Sequence, residues 1–148
     1  MTDRRCLAAA LLAALFTYAA LFGLAAYLSW DVLQKRNPDL FYRVNAIRLE
    51  SELESGLTDP VSVLSILLFN ALTIGVACAV GAFVCPARRW FVPAALCTLG
   101  LGLGALRYGL VLIGPDDLGA KSAILFDLAT MTSFAFGGTW LAPGRSRE

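Results

Sequence analysis

Two charges interrupt stretches that are otherwise apolar: Arg107 between Phe91 and Gly114, and Asp127 between Ser122 and Gly144. A third polar residue, Asn70, sits inside Pro60 to Ala87, which carries no charge. Ionisable groups in apolar surroundings are costly and default to candidate sites with a partner to be named. If each stretch is a membrane helix, a rise of about 1.5 Å per residue puts Arg107 and Asp127 both roughly 8–10 Å below one surface. Asn70 then lies about 13–15 Å in, and could complete a cluster with Thr73 and Tyr108. Arg107, Asp127 and Asn70 are therefore read as an intramembrane polar cluster. As structure, an Arg107–Asp127 pair neutralises itself and pins two helices in register. As chemistry, the same groups form a charged pocket that binds or passes a small ion, or couples to a proton. Arg107 has an alternative, since its long stem can carry the guanidinium outward to Asp116 or Asp117.

Little other chemistry is on offer. The chain has 148 residues and no histidine, which removes the usual zinc sites and the Ser–His and Cys–His nucleophile pairs. The four cysteines form no CxxC, so no metal site and no cofactor is expected. Cys6 and Cys85 fall near the ends of apolar runs; Cys78 and Cys97 fall within them. Cys78 and Cys85 are too far apart along one helix to bridge. All four are read as small hydrophobes with reduced thiols. An enzyme is not expected.

These residues have to be held by something that tolerates an apolar excess. Residues of the AVILMFWYC set make up 58% of the chain and charged residues 16%, against roughly 25% charged in soluble domains. Four apolar stretches reach the ~20 residues an α-helix needs to cross hydrocarbon, and they do not alternate as barrel strands would. The expected fold is all-α: a single membrane domain over residues 1–148, an integral four-helix bundle with spans at about 7–29, 61–84, 91–113 and 122–142. The first span is read as a retained signal-anchor, because Tyr27 to Trp30 does not resemble a small-residue cleavage site. Trp30, Trp90 and Trp140 fall at span ends, where amphipathic rings anchor at the interface.

An outer loop at 30–60 carries one further element. Asn37-Pro38-Asp39 is a helix start, with a capping side chain followed by a first-turn proline. Leu40, Val44 and Ile47 follow at helical spacing, with Phe41 beside them. This predicts a short amphipathic interfacial helix between the first and second spans.

Basic residues set orientation. Arg4, Arg5, Arg88, Arg89, Arg145 and Arg147 lie in short segments on one side, while Lys35, Arg36, Arg43, Arg48 and Lys121 are spread along longer loops on the other. That favours an N-in, C-in arrangement in the plasma (inner) membrane, both termini cytoplasmic. For helix packing the candidates are Gly100 and Gly104, and the four-residue repeat Ala129, Ser133, Gly137. Small residues let backbones approach where no hydrophobic drive exists.

Gly102 to Tyr108 resembles the glycine-rich Arg-Tyr segment of small fluoride channels, and Asn70 with Thr130 to Phe136 resembles that family's pore elements. The order of the two helices is reversed here and an extra span precedes them, so no family is carried over. The leading expectation is a non-catalytic structural or accessory subunit of a membrane assembly. Its partners are the lipid bilayer and other membrane subunits or copies of itself, with no nucleic acid. The alternative is a small-ion or small-solute channel or transporter, homo-oligomeric, built on Arg107, Asp127 and Asn70.

Overall fold

The computed structural model describes residues 3–45, 60–98 and 118–142. Among them the regular structure is entirely helical. In chain order these are α1 (Asp3–Tyr27), α2 (Gln34–Arg36), α3 (Pro38–Asn45), α4 (Pro60–Asn70), α5 (Val76–Val84), α6 (91–98) and α7 (Leu118–Leu141). Two continuous helices in this set, Arg4–Arg36 and Pro60–Val84, are long and apolar enough to cross a membrane.

The first of these runs past the expected end at residue 29. A π-turn over Leu28–Leu33 joins α1 to α2, with the Gln34 N–H donating to the Ser29 carbonyl. The register slips by one residue and the helix continues rather than stopping. Asn37 breaks it, and its side chain accepts a hydrogen bond from the Leu40 N–H at 3.1 Å, capping α3.

The short helix α3 is docked chiefly by Phe41, one of the apolar residues read at its start. Phe41 is 1% exposed and meets the Trp30 ring edge-on at 4.9 Å. Leu40 and Val44 are only half-buried, and Ile47 lies outside the described residues. Ser62 donates to the Arg43 carbonyl, and Ser65 donates to the Val44 carbonyl at 3.0 Å. These bonds occupy the last carbonyls of α3, which a helix end leaves without intrahelical partners.

A second π-turn, Ala71–Gly75, joins α4 to α5. The Thr73 hydroxyl donates to the Phe69 carbonyl at 2.6 Å, which competes locally with the regular helical ladder. The widened turn lets Asn70 and Gly75, five residues apart, share the face toward α7.

The α4–α5 rod is the centre of the packing, with α1 and α7 against it. Cys6 meets Cys85 and Phe22 meets Phe69, so α1 runs antiparallel to the rod. Asn70 meets Asp127 and Gly75 meets Phe134, so α7 runs parallel to it. The core joins Ala10, Ala14, Ala77, Cys78, Val92, Leu96 and Ala135. It is built of small side chains because the helix backbones come close. Gly81 makes room for Val92 at the start of α6: a Cβ there would lie 2.8 Å from the Val92 Cγ1.

Candidate functional site

The polar group nearest the middle of the fold is a clip between the α4–α5 rod and α7. The Asn70 side-chain amide donates to Asp127 Oδ1 at 2.8 Å and to Thr130 Oγ1 at 2.9 Å. Thr130 in turn donates to the Asp127 carbonyl at 2.9 Å. Asn70 is 5% exposed and Asp127 half-buried. The spacing of three residues puts Asp127 and Thr130 on adjacent turns of one face of α7, where a single amide reaches both. Asn70 and Asp127 are thus brought together, whereas Arg107 and Tyr108 lie outside the described residues. Thr73 is turned to its own helix and takes no part. Thr130 belongs to the clip; in the sequence it enters with Asn70 only as part of the Thr130 to Phe136 resemblance and not as a member of the polar cluster. Its spacing from Asp127 was the available signal.

Other hydroxyls in the helices bond back to their own backbone. Thr17, Thr132, Ser133 and Thr139 each donate to a carbonyl four residues earlier. Among the described residues no fully buried side-chain nitrogen or oxygen lacks a partner. No group of three His, Cys, Asp or Glu there could hold a metal ion.

The small-residue stripe on α7 faces away from this chain's own described helices. Ala129 and Ser133 are exposed, and a Cβ on Gly137 would meet nothing within 4 Å. Within this chain the contact seam is formed by Phe134 and Gly138, with the buried Ala135 and Thr139 beside them. There a Cβ on Gly138 would strike the Gly75 backbone, 2.7 Å from its carbonyl carbon. One residue is about 100° of helical rotation (3.6 per turn), so neighbouring glycines point in different directions. Gly100 and Gly104 lie outside the described residues. The outward stripe instead borders an apolar groove of about 450 Å³, with Ala71, Val76 and Ala79 on its other wall.

The cysteines also divide differently from the expectation. Cys6 and Cys85 form a disulfide, with Cα atoms 5.7 Å apart across a sequence separation of 79. They are therefore not small hydrophobes with free thiols. The antiparallel pairing of α1 with α5 brings the two ends to one level. Comparing cysteines along a single helix does not find such a pair; comparing the ends of neighbouring antiparallel helices does. Cys78 and Cys97 are free and buried in the core.

Two of the three tryptophans share an end. Trp90 stacks on Phe136 with centroids 6.1 Å apart, and Trp140 lies one turn beyond that phenylalanine. Trp30 lies at the opposite end, against α3. Trp30, Trp90 and Trp140 are 45%, 44% and 69% exposed, so each ring is open to a surrounding medium. In comparisons with known proteins, the chain matches no family, no curated protein and no solved structure.

Proposed function

We propose that the chain is a small multi-pass membrane protein that serves as a non-catalytic structural or accessory subunit in a membrane assembly. In this reading the described helices belong to a four-span bundle, both termini lie on the cytoplasmic side of the plasma (inner) membrane, and α3 lies on the outer surface. The carrying observation is the closed clip: the donors of Asn70 and Thr130 are spent on Asp127 and on each other. A clip of this kind fixes two helices and leaves those hydroxyl and amide donors unavailable to a solute. Large apolar side chains face outward around it: Leu12, Phe16, Phe83 and Leu141 are 67–77% exposed. Such surfaces suit lipid or a neighbouring helix.

Transport is kept as a second reading because of Asp127 itself. It is a carboxylate nine residues into α7, met by the neutral amide of Asn70. An intramembrane acid of this kind is what a cation- or proton-coupled site requires.

The test is purification in mild detergent followed by identification of whatever accompanies the chain, with ion and proton flux measured in proteoliposomes. The accessory reading expects stable co-purifying membrane subunits or a homomer. It also expects Asn70→Ala and Asp127→Ala to lower stability without changing flux. A solitary chain whose flux is abolished by Asp127→Ala while the fold persists would refute it.

A further inference from the structure

The end of the bundle that carries the disulfide gathers arginines from two distant parts of the sequence. Arg4 and Arg5 precede Cys6, and Arg88 and Arg89 follow Cys85. α1 packs along α5, and the Cα atoms of Cys6 and Cys85 are 5.7 Å apart, so the two segments lie side by side. Within residues 1–12 and 84–98 these four arginines face one acid, Asp3. Arg4, Arg5 and Arg88 are exposed. The Arg89 guanidinium lies 4.9 Å from the centre of the Trp90 ring, which orients it by cation–π attraction. Between the segments is a hollow of about 490 Å³ whose lining joins Leu7 of α1 to Arg88, Trp90 and Phe91. The hollow therefore has an apolar floor with Arg88 at its rim, and Arg4 and Arg5 belong to the adjoining first turn of α1.

We infer that this hollow binds the headgroup of an anionic phospholipid. A guanidinium presents paired N–H donors that match phosphate oxygens in a bidentate fashion. Basic pockets between membrane helices on the cytoplasmic side are suited to anionic headgroups. Free phosphate would use the rim alone. A lipid uses the rim for its phosphate and the floor of Leu7 and Phe91 for its glycerol and first methylenes. Trp90 stands where an interfacial ring belongs. Packing of α1 against α5 brings the Arg4–Arg5 end of α1 to the level of the Arg88 turn, whether or not the two cysteines are joined. The inference rests on the membrane reading above, and its test separates the two.

The full chain carrying Trp30→Phe and Trp140→Phe leaves Trp90 as the fluorescent reporter. It is placed in mixed micelles with phosphatidylglycerol or phosphatidylcholine bearing brominated acyl chains, at equal mole fraction. Quenching is expected with both, with clear preference for phosphatidylglycerol. Arg4→Gln with Arg5→Gln leaves the reporter's stacking partners in place and should lower that preference about 30-fold, at the usual weight of a basic residue near an anionic surface. Arg88→Gln should lower it as well, with helical content unchanged by circular dichroism. Equal quenching by the two lipids overturns the site and leaves the membrane reading standing; no quenching by either overturns both. A preference untouched by all three substitutions also overturns the site. Inorganic phosphate should compete no better than sulfate at equal ionic strength. Selective loss of the lipid preference to inorganic phosphate would make this a free-phosphate site and overturn the lipid assignment.

Discussion

Gly137 and Gly138 are adjacent in sequence and opposite in consequence, which makes Gly138→Ala against Gly137→Ala a sharp test of the helix seam. A Cβ at 138 would stand 2.7 Å from the Gly75 carbonyl carbon and 2.9 Å from its Cα. Carbon pairs are comfortable at about 3.5–4.0 Å. The obstacle is backbone, so no side-chain rotation relieves it, and α7 has to part from the rod by about 1 Å. A gap of that size forfeits roughly a quarter to a half of each dispersion contact along the seam. It also stretches the Asn70–Asp127 bond, now 2.8 Å, beyond hydrogen-bonding range. Overpacking alone costs about 1–3 kcal/mol, and the lost clip adds about 0.6–1.7 kcal/mol at the weight found between membrane helices. The expected destabilisation is about 3 kcal/mol, more than a hundredfold in the folding constant. At 137 the added methyl meets nothing within 4 Å. Both variants gain the same helix propensity, about 1 kcal/mol, so it cancels in their difference. Reversible unfolding in mixed micelles, followed by circular dichroism, measures that difference directly. Two variants within about 0.5 kcal/mol of each other would refute the close Gly75–Gly138 approach.

Further perturbations report on other contacts. Cys6→Ser or Cys85→Ser removes a cross-link of sequence separation 79, worth at most about 4.5 kcal/mol by loop-closure entropy. A fall in stability of about 2–4 kcal/mol is expected, matched by adding reductant to the parent; no change in either experiment would deny the tether. Differential alkylation in intact cells then tests orientation. Cytoplasmic thiols are kept reduced, so a Cys6–Cys85 pair that is fully and lastingly oxidised there would contradict the N-in arrangement. Phe41→Ala empties the anchor of α3 and should cost about 3–5 kcal/mol locally. The readouts are a red shift of Trp30 emission and rapid amide exchange over residues 38–45, and retained protection there would exclude the docking by Phe41.

Read alone, the chain determined that its described residues are helical and where two long apolar helices begin. Charge-free runs bounded by prolines and capping residues depend on local chemistry, but a π-turn carries the first helix past its expected end to Arg36. Asn37 caps α3 as its type and position suggested. Rotation of each helix about its own axis was decided in three dimensions. Helices that are apolar around their whole circumference give no periodic signal to say which face meets a neighbour. That is why Gly138 rather than Gly137 touches Gly75. The π-turn at Ala71–Gly75 compounds the difficulty, because a one-residue slip rotates everything after it. The juxtapositions across the fold have the same origin. Asn70 reaches Asp127, and Cys6 reaches Cys85, only once antiparallel and parallel neighbours are set side by side. The sequence supplied the groups; their pairing came from which faces small side chains allow to approach.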